Sequence, residues 1–231
     1  MGEHYLIVAA IVPALILMFY IYRKDKLERE PFGLLVSLVL LGVLATFSAM
    51  LLEQLGIYLL ENLPIYNDVL YNLILYFVIV GIAEEGSKYF LLSKRTWKSP
   101  HFNCQFDAVI YSVFVSLGFA LWENVGYVLM YGFETALIRA VTAVPGHACF
   151  GVFMGVWYGV AKRTENEGDE EGSRKYRRLA LLVPILLHGC YDYLATMESE
   201  YASLIFVAFV LCMFIAGLIF VRRLSRNDQY I

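Results

Sequence analysis

Seven long apolar runs constrain this chain more than any other feature of its sequence. About 20 consecutive apolar residues cross a bilayer as an α-helix, so each run is long enough for one span. A helix also satisfies its own backbone hydrogen bonds inside lipid. The sequence therefore predicts an all-α, polytopic membrane bundle in which residues 1–231 form a single domain. The predicted spans cover residues 5–22, 33–60, 69–92, 108–131, 138–161, 179–196 and 201–221.

The run over 33–60 leaves the number of spans open. It is longer than one span requires, and Glu53 and Gln54 interrupt its apolar character. Its end could lie along the membrane interface or form a re-entrant element, which would raise the count to eight. Overall, 60% of the residues are hydrophobic and 17% charged, whereas soluble domains are about half apolar and a quarter charged. This composition argues against a water-soluble globule and gives no sign of nucleic-acid binding.

The basic residues are distributed unevenly among the connecting segments. With seven spans, alternate segments hold 16 of the 18 Lys and Arg residues, and the two exceptions are Lys88 and Arg139. Because basic segments stay in the cytoplasm, the N-terminus is predicted outside and the C-terminus inside. The longest basic segment, 162–178, is highly charged and lacks apolar periodicity, which predicts a flexible cytoplasmic loop.

Four of the predicted spans carry polar side chains that are costly inside a bilayer. An ionisable group deep in a span costs about 3 kcal/mol or more, so each such group marks a functional site by default. Polar residues can also simply join helices within a bundle, but a set spread over four spans favours a site over that reading. The candidate catalytic residues are Glu84, Glu85, Lys88, Glu123, Asn124, His147, His188 and Asp192.

Helical spacing gives each of these spans one polar stripe. Residues four apart share a helix face, so Glu84 lies over Lys88 and His188 over Asp192. Two adjacent carboxylates in a low dielectric cannot both ionise cheaply. Lys88 is therefore expected to compensate one of them while the other serves as a general base. A different stripe, formed by Gly151, Gly155 and Gly159, predicts close helix packing.

The polar stripes belong to four motifs that, in this order, resemble the PrsW family of bacterial intramembrane proteases. The motifs are EExxK over 84–88, FxxxEN over 119–124, HxxxG over 147–151 and HGxYD over 188–192. The resemblance extends to Asp25 and the Glu30-Pro31 pair in the first loop. It implies a protease of the bacterial cell membrane that makes the first, extracytoplasmic (site-1) cut in a membrane-anchored anti-sigma factor. That cut would begin the regulated proteolysis that releases a sigma factor in a stress response.

The motifs are more distantly similar to those of CAAX prenyl endopeptidases and bacteriocin-immunity proteases. That resemblance implies a glutamate-activated water and no metal cofactor, with Glu84 or Glu85 as the base. It also implies that Glu123, with Asn124 or His147, completes the water site, and that His188 with Asp192 stabilises the oxyanion. The chain departs from the CAAX enzymes by carrying Lys88 at the fourth position of the first motif instead of an Arg at the fifth. It also has Glu123 where those enzymes tend to have His.

Three alternatives remain at this point. Zinc held by His147, His188 and a glutamate would make a metalloprotease, although the HExxH pattern is absent. Buried Glu, Lys and His would also suit a proton-coupled transporter or channel, although no internal repeat is evident. The third alternative is a non-catalytic scaffold.

The depth of the polar groups raises one difficulty for a shared site. At about 1.5 Å per residue, the predicted spans place Glu123, His147 and His188 in the outer half of the membrane. Glu84 and Glu85 fall in the inner half. Helix tilt or a later outer start of the third span would be needed to bring the two groups together.

Overall fold

A computed structural model describes residues 3–231, and these residues are helical almost throughout. They contain no β-strand, only an isolated bridge between Cys104 and Tyr230. The predicted all-α fold is confirmed. The helices are α1 (Glu3–Lys24), α2 (Phe32–Glu61), α3 (Asp68–Leu73), α4 (Gly81–Thr96), α5 (Asp107–Tyr131), α6 (Phe133–Val141), α7 (Ala143–Asn166), α8 (Glu170–Ala195) and α9 (Ala202–Arg226), with a π-helical segment (Ile74–Val80) joining α3 to α4.

Seven helical stretches within residues 3–231 are long and apolar enough to cross a membrane. One of them joins α3, the π-helical segment and α4, and another joins α6 and α7 through Thr142. The run predicted over 33–60 is a single helix of 30 residues, α2, and does not divide into two crossings. Large apolar side chains such as Phe19, Leu40 and Ile215 are exposed on these helices, as lipid-facing surfaces require.

Helix α5 lies at the centre of the bundle, where it packs against α1, α2 and α7. Every residue from Asp107 to Ala120 is buried. At the crossing with α2, a Cβ on Gly42 would collide with the backbone oxygen of Val115, and a Cβ on Gly118 would collide with the backbone of Val39. The two backbones therefore touch directly, which only glycine permits.

The glycine stripe on α7 makes a second close contact with α5. A Cβ on Gly151 would lie 2.9 Å from the Cα of Val113. The hydroxyl of Ser112 donates to the carbonyl oxygen of Gly151 at 2.7 Å. The predicted close packing of this stripe is confirmed, and it fixes the register of α7 against α5.

The segment 162–178 is not the flexible loop that its charge predicts. Helix α7 continues to Asn166 and α8 begins at Glu170, so a three-residue turn joins them. The carboxylate of Asp169 caps α8 by accepting from the amide of Gly172 at 2.8 Å. The rings of Trp157 and Tyr176 stack with their centroids 6.0 Å apart. Capping and aromatic packing, rather than an apolar stripe, stabilise this helical hairpin.

The loop between α1 and α2 meets the C-terminal tail at the end of the bundle where α5 begins. Asp25 and Glu30 are both buried there, and the amide of Glu30 donates to the carboxylate of Asp25 at 3.3 Å. The carboxylate of Asp228 accepts from the amide of Phe106 at 2.9 Å. Burial raises the pKa of Asp25 to about 6 and that of Glu30 to about 7. These acidic residues organise the end of the bundle that lies away from the candidate catalytic groups.

Candidate active site

A cavity of about 640 Å³ lies between α2, the π-helical segment, α4, α5, α6, α7 and α8. Its volume falls within the range of small-ligand and substrate pockets, roughly 300 to 1,000 Å³. It extends to Tyr131 and Thr196 at the ends of α5 and α8. The charged and imidazole side chains that line it are Glu53, Glu84, Glu123, Arg139, His147, His188 and Asp192.

The ammonium group of Lys88 lies at the centre of the polar cluster beside this cavity. It donates to Glu85 Oε1 at 2.7 Å and to Glu84 Oε2 at 3.1 Å. His147 Nδ1 lies 3.1 Å away, and the ring centroid of Phe119 lies 3.8 Å away. Lys88 is 0% exposed. One buried cation therefore joins both glutamates of α4 to the histidine of α7.

The two adjacent glutamates occupy different environments. Glu84 is 7% exposed and forms part of the cavity wall. Glu85 is 0% exposed, does not line the cavity, and points toward α8, where its Oε1 lies 3.0 Å from His188 Nδ1. Of these two glutamates, Glu84 alone is therefore placed to contact a water molecule in the cavity.

Each histidine is held through both of its ring nitrogens. An ammonium group only donates hydrogen bonds, so the contact with Lys88 makes His147 Nδ1 an acceptor. His147 Nε2 then carries the proton and donates to Glu123 Oε2 at 2.9 Å. His188 lies between two carboxylates, with Nδ1 facing Glu85 at 3.0 Å and Nε2 facing Asp192 at 3.4 Å. Contacts at both nitrogens fix the orientation of each ring.

Arg139 anchors Glu123 from the end of the cavity that reaches Tyr131. Its guanidinium donates to Glu123 Oε2 at 3.0 Å and to Asn124 Oδ1 at 3.0 Å, and it lies 3.9 Å from the ring centroid of Tyr127. Asn124 is fully buried, does not line the cavity, and donates to the carbonyl oxygen of Ala10 on α1 at 2.8 Å. Asn124 was one of two residues expected to complete the water site with Glu123; its contacts are with α1 and Arg139, whereas the other, His147, contacts Glu123.

The other seven candidate residues come together as predicted in one cluster or on the cavity wall. The expected difference in depth does not keep them apart. For His147 the reason is that its helical stretch begins at Phe133, which places it deeper than a span starting at 138 would. The seven are Glu84, Glu85, Lys88, Glu123, His147, His188 and Asp192.

Two wall residues, Glu53 and Arg139, were not among the sequence candidates. Glu53 was interpreted as an interruption of the run over 33–60, although a carboxylate inside a span is itself a signal of function. Arg139 was one of only two basic residues outside the alternate segments that hold the other 16. Both signals were present in the sequence, but the motifs did not include them.

Comparison with known proteins identifies the family. The sequence model described as "PrsW family intramembrane metalloprotease" matches residues 30–219. The chain belongs to the PrsW family. "Protease PrsW" of Clostridioides difficile is 34% identical over 214 residues, covering 90% of this chain and 86% of that protein. "Protease PrsW" of Halalkalibacterium halodurans is 34% identical over 224 residues, covering 97% and 99%. "Protease PrsW" of Bacillus subtilis is 34% identical over 207 residues, covering 89% and 90%.

Membership of the PrsW family makes the chain an intramembrane peptidase, and so confirms the resemblance seen in its motifs. It sets aside the transporter and scaffold alternatives. No solved structure matches the chain.

The family description names a metal, which raises the question whether these residues fit one. Within residues 3–231, the metal-ligating atoms of Glu84, Glu85 and His147 all lie within 4.8 Å of one another. Two carboxylates and an imidazole are suitable zinc ligands. The space between them, however, holds the ammonium group of Lys88, which contacts all three side chains. In this arrangement the residues do not fit a resident metal ion.

Proposed function

We propose that this PrsW family member is an endopeptidase that cleaves a membrane-anchored protein by means of a water molecule activated by Glu84, without a metal cofactor. The observation that carries the proposal is the position of Glu84 on the cavity wall, together with Glu123, His147 and His188. Glu85 is buried behind it against Lys88 and His188. A base must be within hydrogen-bond reach of the proton that it removes, and the place of Glu84 on the cavity wall gives it access to a water molecule there.

In the proposed reaction, Glu84 removes a proton from the water as its oxygen attacks the scissile carbonyl carbon. The resulting tetrahedral intermediate carries a negative oxygen, which His188 stabilises by turning toward it the Nε2–H that faces Asp192 at 3.4 Å before the reaction. Glu84 then returns the proton to the leaving amide nitrogen as the C–N bond breaks. Glu123, held by His147, orients the water. Glu85 holds His188 through Nδ1, and Asp192 faces its Nε2 until the oxyanion forms.

The proposed substrate is an anti-sigma factor that is cut on the extracytoplasmic side of the bacterial cell membrane. Support for the side comes from the 16 basic residues that share alternate segments, which favour an external N-terminus and a cytoplasmic C-terminus. With that orientation, the cavity that reaches Tyr131 and Thr196 lies toward the outer face. Support for the substrate class comes from the family resemblance, with the first cut of a regulated cascade as the expected event.

Co-expression with a candidate anti-sigma factor tests this function. Wild-type protein should shorten the anti-sigma factor in the membrane fraction, and Glu84→Ala and Glu85→Ala should each leave it intact. Glu61→Gln is the matched control, because Glu61 is exposed at the end of α2 and lies outside the cavity. Cleavage within a few fold of wild type in both alanine variants would rule out the glutamate mechanism.

A further inference from the structure

We propose that the ammonium group of Lys88 occupies the position of a divalent metal ion, so that the wild-type site binds none and removal of the ammonium creates a metal site. What this implies for catalysis rests on the function proposed above, in which Glu84 activates the water. The ligand class is a borderline transition metal such as zinc or cobalt, held by Glu84, Glu85 and His147.

The geometry around Lys88 is that of a filled coordination site. An ammonium group has three N–H donors. The three acceptors, Glu84 Oε2, Glu85 Oε1 and His147 Nδ1, lie 3.1, 2.7 and 3.1 Å from its nitrogen. The face of Phe119 lies against the same nitrogen at 3.8 Å. Every donor has a partner, and the buried ammonium leaves no space for a second cation.

The same three atoms are close to a geometry that would suit zinc. Their ligating atoms lie within 4.8 Å of one another, and zinc binds carboxylate oxygen and imidazole nitrogen at about 2.0–2.2 Å. Inward movements of about 1 Å would convert these hydrogen-bond distances into metal–ligand distances. Without the ammonium, two buried carboxylates would lack a compensating charge, which favours uptake of a cation.

The sequence builds this arrangement locally. Glu84 and Glu85 precede Lys88 by one helical turn, so the EExxK spacing brings both carboxylates to the ammonium. Only His147 comes from another helix, α7. A fixed ammonium supplies positive charge as a metal would, but it holds no activated water. Glu84 must therefore take the proton from the water itself.

Metal uptake by purified protein tests the proposal without any measurement of activity. Wild type, Lys88→Met, Lys88→Gln and the double variant Lys88→Met/His147→Ala are incubated with Co²⁺ or Zn²⁺ and freed of excess metal by gel filtration. Bound metal is measured by mass spectrometry, and Co²⁺ coordination by its visible absorption. Lys98→Met is the matched control, because Lys98 is exposed outside the bundle.

We expect no stoichiometric metal in wild type or Lys98→Met, and roughly one ion per chain in Lys88→Met and Lys88→Gln. The double variant should lose that ion. Folded Lys88 variants that bind no metal would overturn the proposal. So would a stoichiometric ion in wild type that disappears in Glu84→Gln. If neither Lys88 variant folds, the metal content of wild type decides the question. Wild type without bound metal supports the proposal, and a stoichiometric metal ion that depends on Glu84 overturns it.

The outcomes also separate this proposal from the proposed function. Suppose that wild type binds no metal and Glu84→Gln still cleaves. The glutamate mechanism is then refuted, while the assignment of Lys88 stands. A wild type with one zinc ion whose Glu84→Gln variant is inactive would refute the assignment of Lys88 while the peptidase site stands.

Discussion

Glu84 and Glu85 show how two identical neighbours take different roles at the scale of single residues. Successive residues point about 100° apart around a helix, so one carboxylate reaches the cavity and the other reaches α8. Glu85 contacts Lys88 and His188 and is shielded from the cavity. We therefore assign the base to Glu84 and treat Glu85 as a positioning residue.

Arg139 is predicted to position Glu123 for catalysis. Arg139→Ala removes the guanidinium contacts with Glu123 and Asn124, and misplacement of this kind should lower the cleavage rate roughly 10- to 100-fold. The rate of Arg139→Lys should fall between those of wild type and Arg139→Ala, because a lysine keeps the charge but lacks the planar guanidinium fork that reaches Glu123 and Asn124 together. Initial rates of substrate cleavage measure the effect.

Arg226→Ala provides the matched control, since Arg226 is exposed at the end of α9. Partial rescue by Arg139→Lys distinguishes a charge that holds Glu123 from mere loss of packing. A wild-type rate in Arg139→Ala would remove this residue from the account.

Contacts within one helix were predictable from sequence, and contacts between helices were not. The pairs Glu84–Lys88 and His188–Asp192 follow from a spacing of four residues. The approach of His147 to Lys88 depends instead on how α7 packs against its neighbours, which spacing does not encode. The contacts of Asn124 were not predictable for the same reason, because its partner Ala10 lies on a helix far away in sequence.

The crossing of α2 and α5 is the element-scale feature that shapes the cavity. Both helices contribute cavity-lining residues near this crossing, including Thr46 on α2 and Phe119 on α5. Glycines at the crossing let the backbones touch, so a single added methyl group must push the two helices apart. The glycine stripe of α7 was predictable from its regular spacing, whereas the pairing of Gly42 with α5 needed the packed structure.

Gly42→Ala is predicted to destabilise the protein. Its added Cβ would collide with the backbone of Val115 and Gly118, and overpacking of this kind costs about 1–3 kcal/mol. Gly33→Ala is the control on the same helix, because nothing lies within 4 Å of a Cβ there. Thermal unfolding in detergent should show a lower midpoint for Gly42→Ala only. Equal midpoints for the two variants would contradict the close crossing.

The acidic junction between the α1–α2 loop and the tail is predicted to weaken as pH rises. Burial raises the pKa of Asp25 to about 6 and of Glu30 to about 7, whereas unfolded carboxyl groups titrate near pH 4. The folded state therefore binds protons more tightly. The contribution of these two carboxyl groups to the stability of the folded state is fully present below about pH 4. It is lost as pH rises through about 6 to 7.

Glu30→Gln tests this junction because it removes one of the two titrating groups. The variant should unfold at a higher temperature than wild type at about pH 7.5, and the difference should shrink toward about pH 5. Glu134→Gln, at an exposed position on α6, should match wild type at both values. If the difference in unfolding temperature between Glu30→Gln and wild type grew as pH falls, the predicted pH dependence would be wrong.

At the scale of the whole molecule, hydropathy was enough to predict the fold. Each of the seven runs corresponds to one helical stretch that is long and apolar enough to cross a membrane. The fifth and sixth stretches begin well before the predicted positions 138 and 179, at Phe133 and Glu170. The charged hairpin between α7 and α8 was mispredicted because capping and aromatic stacking leave no apolar periodicity. The shape of the cavity could not be predicted, since it depends on how α2, the π-helical segment and α4 to α8 pack together.

The membrane orientation of the chain can be tested with reporter fusions. Reporter fusions after Arg95 and after Arg226 should both give cytoplasmic signals, because both positions follow basic segments. A fusion after Glu134, between α5 and α7, should give an extracytoplasmic signal. A periplasmic-type signal after Arg95 or Arg226 would break the proposed orientation and place the cavity on the wrong side of the membrane for the proposed cut.

We propose above that Glu84 activates water in a site that needs no metal. The most direct test is cleavage of a membrane-anchored substrate by purified protein in liposomes prepared with a chelator. We predict that wild type cleaves at an undiminished rate and carries no stoichiometric metal, while Glu84→Gln binds the same substrate without cutting it. Loss of wild-type cleavage in the chelator, with recovery on adding zinc, would contradict the account, as would cleavage by Glu84→Gln.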